Sequence, residues 1–120
     1  CDLGNNMESA TIFTTTKEAE YLVRQAQELA LSGDHARAMA TLQKTIAAYP
    51  KYAEAYALLG NCQECLDKNT DAVASYEKAL QLDPGHADVW FNKGVVLKKI
   101  GMTKEAMQCI EKSMELYCGR

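Results

Sequence analysis

The sequence is short of several things that chemistry usually requires. It has two histidines in 120 residues. Neither His35 nor His86 has a serine, cysteine or acid beside it in an arrangement that would make a catalytic set, so no enzyme activity is expected. The glycines are scattered singly and form no phosphate-cradling loop. There is no excess of base: 13 Lys and Arg stand against 16 Asp and Glu, for a net charge of -3 and a pI near 5.4. A sequence-independent grip on nucleic acid needs a concentrated basic face. Lys98, Lys99 and Lys104 make only a small local patch, so nucleic acid is not an expected partner. No apolar run is long enough to span a bilayer. The opening Cys-Asp-Leu-Gly-Asn-Asn has no basic region and no apolar core, so no signal peptide is read there. Five cysteines, an odd and sparse set, suit a reducing, cytoplasmic setting better than a disulfide scaffold.

What is present is globular in composition, with 48% hydrophobic and 24% charged residues in the length of one domain. The chain opens on Cys1, which a natural chain rarely does. It is read as a fragment of a longer chain. The alternative is a processed lipoprotein, lipid-anchored through Cys1, whose attachment signal would lie upstream. Met7 is a further candidate start.

The two prolines, Pro50 and Pro84, are 34 residues apart. So are Gly60 and Gly94, with Ala26 one step upstream. Ala38, Ala72 and Ala106 keep the same step, as do Leu42, Tyr76 and Ile110, and Gly33, Asp67 and Gly101. A fixed period of this size marks a repeat architecture. The units are 19–52, 53–86 and 87–120, after an extension or cap at 1–18. Helical spacing of apolar residues, such as Tyr56, Leu59 and Leu66 with Gln63 interrupting, predicts two helices per unit. The first helices are expected at 19–32, 53–66 and 87–100, the second at 35–48, 69–82 and 103–117. Gly33 and Gly101 suit the left-handed ends of helices. Asp34, Asn69 and Thr103 are candidate caps for the second helices. Thr15 and Glu18 have capping-box spacing ahead of the first unit.

These residues resemble the tetratricopeptide repeat (TPR) over 19–120. The middle unit carries Tyr56, Leu59 and Gly60, then Ala72, Tyr76, Ala79 and Pro84, with Gln63 departing from the usual Tyr. The third carries Trp90, Gly94, Leu97, Ala106 and Ile110, with Lys93 and Cys118 departing from Leu and Pro. The first is looser: Leu22, Ala26, Leu29, Ala38, Leu42 and Pro50. The resemblance implies an all-α fold, a right-handed superhelical α-solenoid of three helix-turn-helix repeats. It also implies a concave, non-catalytic surface that binds a peptide or partner protein, with no cofactor. The positions that line this surface in the family are here Glu20, Val23, Gln27, Ala30 and Leu31; Glu54, Ala57, Asn61, Glu64 and Cys65; and Asp88, Phe91, Val95, Lys98 and Lys99. Glu20, Glu54 and Asp88 form an expected acidic row. Val23, Ala57, Phe91 and Val95 lie beside it, which suits a peptide with an apolar anchor near Phe91 and a basic residue near the row. The clamp that holds chaperone tails in one TPR subfamily is not expected. Its basic and amide positions are here Val23, Gln27, Leu58, Asp88 and Asn92, with no Lys or Arg among them.

Two further features bear on function. The stretch Gly-Asn-Cys-Gln-Glu-Cys at 60–65 has the spacing of a metal or redox pair. It falls in the middle of a helix, not at the helix start that lowers a thiol pKa, and lacks two further zinc ligands. Cys62 is therefore read as a packing residue, Cys65 as a groove thiol, and no metal is expected. On the third unit Met107, Ile110, Met114 and Tyr117 are expected to need cover, from further repeats of a longer chain, a second copy or a partner. A second copy meeting that face would make the protein a self-assembling scaffold, the alternative to a peptide-binding module.

Overall fold

The computed structural model describes the backbone of residues 2–119 and the side chains of residues 17–119. Expectations resting on Cys1, on the side chains of Met7 and Thr15, or on Arg120 lie outside those residues. The repeat spacing resolves into six helices: α1 (Asp2–Leu31), α2 (His35–Ala48), α3 (Ala53–Cys65), α4 (Asn69–Leu82), α5 (Ala87–Lys99) and α6 (Thr103–Tyr117). No strand occurs among the described residues. Five of the six expected helices hold to within one residue. The exception is α1, which starts at Asp2, not Ala19, so Thr15 and Glu18 lie inside a helix and not at its start.

The turn within each unit is the same turn built three times. Gly33, Asp67 and Gly101 take φ of 91°, 60° and 89°. The next residues, Asp34, Lys68 and Met102, donate their N–H to Leu29, Gln63 and Leu97 O at 2.9, 2.8 and 2.9 Å. This pattern satisfies carbonyls orphaned at the helix end. Glycine enters the left-handed region without steric cost, and aspartate is among the few other residues that tolerate it. Between units a second tie recurs. Tyr56 Oη donates to Pro50 O (2.9 Å), and Trp90 Nε1 donates to Pro84 O (2.8 Å). Each fastens the opening of a first helix to the turn before it.

Inside a unit the two helices meet through a small residue opposite a large one. Ala26 and Leu42 share the first core cluster. Gly60 lies under the ring of Tyr76, and Gly94 under Ile110. Thr45, Ala79 and Ser113 hold a second close contact and are fully buried. The two hydroxyls there are satisfied within their own helices, Thr45 Oγ1 by Thr41 O at 2.8 Å and Ser113 Oγ by Ile110 O at 2.7 Å.

Neighbouring helices in the chain pack on one another throughout. Beyond that, α1 touches α3 and α3 touches α5. Among the described residues α2, α4 and α6 make no such contacts with each other. The stack is therefore closed on the side of the first helices and splayed on the side of the second. That difference curves it, with α1, α3 and α5 on the inner side.

Candidate functional site

The inner side is where the sequence places its candidate residues, and burial separates them. Phe91 is 43% exposed, although large apolar side chains are usually buried. Gln27, Glu54, Asp88 and Lys98 are exposed, as are Leu31, Cys65 and Lys99, while Glu20, Ala30, Asn61, Glu64 and Val95 are half-buried. Val23 and Ala57 are only 7% and 4% exposed and offer a ligand little surface. Val23 packs with Ala55, Leu59 and Cys62, and Ala57 with Tyr76, Val89 and Val96. They fill the seams between successive units. The apolar part of the inner surface that stays open is therefore Phe91 and Val95 on α5, with Leu31 at the end of α1.

The acids on this side are largely engaged with their own protein. Glu54 Oε2 on α3 lies 3.1 Å from Nε2 of His86, the residue before α5, so His86 ties two first helices together and is not a bare surface histidine. Asp88 accepts a hydrogen bond from Tyr117 Oη, which raises the tyrosine's pKa. Tyr52 lies between the first two acids of the row. Its pKa is raised first by burial and then by the charges of Glu20 and Glu54. The expected row is thus interleaved with Tyr52, His86 and Tyr117, and a basic ligand would have to compete with them.

Deeper in the curve is a polar network that the sequence did not disclose. Tyr76 Oη, on a fully buried ring, donates to Asn61 Oδ1 at 2.7 Å and lies 3.3 Å from Glu64 Oε1. Asn92 Nδ2 donates to the same Asn61 oxygen at 3.2 Å, across the unit boundary. Lys99 Nζ meets Glu64 Oε2 at 2.8 Å, which raises the lysine's pKa. Burial, then the charge of Glu64, hold the Tyr76 phenol far above the ordinary tyrosine value. The roles of Asn61 and Asn92 in this network follow from the packing of Tyr76 beside them and not from their positions in the repeat.

Cys62 is buried, and burial, then the neighbouring Cys65, push its thiol up to about 11. At neutral pH it is protonated and poorly nucleophilic. Cys62, Cys65, Cys109 and Cys118 are all free thiols. Among the described residues no group of three or more His, Cys, Asp or Glu side chains is placed to hold a metal. Among the described residues no helix is long and apolar enough to cross a membrane.

At the end of the stack Met107, Met114 and Tyr117 are exposed. Ile110 departs from the expectation that it would need covering: it is half-buried, because its side chain fills the space over Gly94.

Comparison with known proteins agrees with this geometry. Family models of the tetratricopeptide repeat match residues 20–52, 53–86 and 75–108. A curated relative, an uncharacterized protein of Methanocaldococcus jannaschii, is 40% identical over 38 residues, which are 32% of this chain and 44% of that protein. Among solved structures, MamA superposes with a TM-score of 0.78 at 25% identity, over 82% of this chain and 58% of its own. The O-GlcNAc transferase of Thermobaculum terrenum superposes with a TM-score of 0.80 at 25% identity, over 85% of this chain and 20% of the enzyme. The second TPR domain of Spaghetti (RPAP3), bound to the HSP90 peptide SRMEEVD, has a TM-score of 0.79 at 21% identity, over 82% of this chain and 91% of its own, a likeness of fold alone. The chain thus spans less than two thirds of the curated relative and of MamA. With three family matches running from residue 20 to residue 108 and six helices paired as the period requires, the chain belongs to the tetratricopeptide-repeat family.

Proposed function

We propose that this protein is a non-catalytic interaction module that holds a peptide or partner segment against the inner faces of α1, α3 and α5. The observation that carries the reading is Phe91, an aromatic ring left exposed on the inner side next to Val95. Burying such a ring is worth more to a ligand than any charged contact at the rim. The contact surface is read as Glu20, Gln27, Glu54, Asn61, Glu64, Asp88, Phe91, Val95 and Lys98, with Val23 and Ala57 setting its floor. The ligand has an apolar anchor for Phe91. The acids favour a basic residue beside that anchor, although their internal partners weaken the preference. A chaperone tail ending in carboxylates is not favoured, because Asp88 stands where a cation would be needed.

Self-assembly by end-to-end stacking of copies is the weaker reading. The face that α1 would offer carries Tyr21, Gln25 and Glu28, all exposed, with Gln25 Nε2 donating to Tyr21 Oη at 2.9 Å. It is a polar match for the methionines of α6. The reducing, cytoplasmic setting rests on the cysteine usage alone.

The test is a pull-down from the native source with the unmodified protein and with Phe91→Ala. Recovered partners should fall by about tenfold or more with Phe91→Ala, and by less with Glu20→Gln/Glu54→Gln. Undiminished recovery with both variants would exclude the inner surface as the binding site.

A further inference from the structure

The splayed, outer side of the stack has a trough of its own. Among the described residues α2 and α4 do not pack on one another. The hollow between them holds about 310 Å³. Gln43 and Ile46 of α2 form one wall, Ala74 and Lys78 of α4 the other, and Tyr56 and Leu59 of α3 the floor. This trough lies at the seam between the first and second units. A unit added at either end of a stack packs on that end, so no helix before α1 or after α6 would fill it.

The lining says what fits. Ile46 and Tyr56 are half-buried and give the hollow an apolar bed over Leu59. Ser75 also reaches it, but its Oγ already donates to Gln63 Oε1 at 2.6 Å. The free polar capacity is at the rim. Lys78 Nζ stands 6.0 Å from the centre of the Tyr56 ring, with no acid paired to it among the described residues. Gln43 is exposed on the opposite wall. The described lining contains no acid. Glu77, beside Lys78 in the chain, holds on α4 the position that Gln43 holds on α2, and so faces the next seam. That next seam differs at the same places. Lys93 replaces Leu59 and lies across the Trp90 ring at 5.6 Å, Gln108 replaces Ala74, and Glu77 replaces Gln43. The open, acid-free trough is thus built by the residues of one seam.

We infer that this trough is a docking site for an acidic segment of a partner protein. The segment buries one large apolar side chain, Leu or Phe in size, against Ile46, Tyr56 and Leu59. A neighbouring carboxylate meets Lys78. The volume is at the small end of ligand sites, enough for one side chain and not for a helix. Being open along its length, the trough would leave much of a small free ligand in water, whereas such ligands are usually enclosed. This surface is separate from the inner one and does not depend on Phe91.

The probe is the acetylated and amidated peptide Ser-Gly-Glu-Phe-Glu-Gly-Ser, titrated into isotope-labelled protein and followed by amide NMR shifts. A second peptide carries Lys in place of both Glu. Saturable shifts are expected around Gln43, Tyr56 and Ala74, with a Kd of about 1 mM or less. Ala74→Gln gives α4 the residue that α6 has at the equivalent position and should weaken binding about tenfold or more. Lys78→Gln and the Lys peptide should each weaken it about threefold, and Phe91→Ala not at all. Ala74 is exposed, so Ala74→Gln should melt as the parent does, which circular dichroism checks. Absence of saturable shifts at these residues, binding that Ala74→Gln leaves intact, or equal binding of the Lys peptide would each overturn the proposal. So would phenylpropionate bound as tightly as the peptide, which would make this a site for a small acid. A dimer seen by light scattering and abolished by Ala74→Gln would also overturn it, since a second copy would then be the occupant.

Discussion

A methyl group added at residue 60 has nowhere to go. A Cβ there would lie 2.5 Å from Tyr76 Cε1 and 2.6 Å from Cδ1, on a ring that is fully buried. The ring cannot back away, because its hydroxyl is held by Asn61. At Gly94 the first contact is Ile110 Cγ1 at 2.8 Å, a half-buried side chain with room to turn, although Ala106 O follows at 3.0 Å. Gly60→Ala should therefore cost about 2 kcal/mol, after the gain in helix propensity, and Gly94→Ala less. Urea unfolding of the two variants checks the order, and equal midpoints would contradict it. Tyr76 also gives a pH signature. The folded protein holds the phenol proton more tightly than the unfolded chain does. The stabilisation is therefore complete below the ordinary tyrosine pKa of about 10 and is lost as pH rises above it. Tyr76→Phe should cost about 1 kcal/mol at neutral pH. The gap from the parent should narrow above about pH 10, read from denaturation midpoints across the alkaline range.

The helices themselves were largely legible before the structure, because glycine, proline and the apolar spacing mark their ends three times over. What escaped were features that depend on neighbours. The forward extension of α1 is one: the capping-box spacing of Thr15 and Glu18 suggested a start inside it, and Gly4, Asn5 and Asn6 are poor helix formers. Thr45 and Ser113 read as polar, yet they occupy the buried close-contact position of Ala79 and bond back to their own helices. The caps were legible only in the first unit. Asp34 is the N-cap of α2 and accepts a hydrogen bond from Arg37 N. Asn69 and Thr103 are instead the first helical residues, and the cap positions fall to Lys68 and Met102. Their backbones already match Asp34: φ and ψ are -91° and 69° at Asp34, -93° and 67° at Lys68, and -90° and 64° at Met102. A capping side chain should need no rearrangement there. Lys68→Asp and Met102→Asp should each stabilise the protein by about 0.5–1 kcal/mol, measured as a rise in unfolding midpoint, with no gain from the same change at Asn69.

At the scale of the molecule, the family resemblance found the inner face, but the allocation of its residues needed coordinates. Position in a repeat says which helix carries a residue and which way it leans. It does not say whether the next unit closes over it, and that decides between Phe91, left open, and Val23 and Ala57, sealed in the seams. Those seams also set how the stack unfolds. Each unit meets only its neighbours, so stability is a sum of terms for units and for interfaces. Leu80 stands at the seam between the second and third units, packed with Val89 and Val96 and 7% exposed. Leu80→Ala removes that contact without touching the α1, α2 and α3 core, and should cost about 2–3 kcal/mol. If the interface term is what holds the third unit, the loss will be local. Hydrogen exchange in α5 and α6 should speed up by about 30-fold or more, while protection in α1 and α2 stays near that of the parent. Equal loss in all six helices would mean instead that the stack unfolds as a single cooperative block. The Phe91 surface would then be as firmly held as the core.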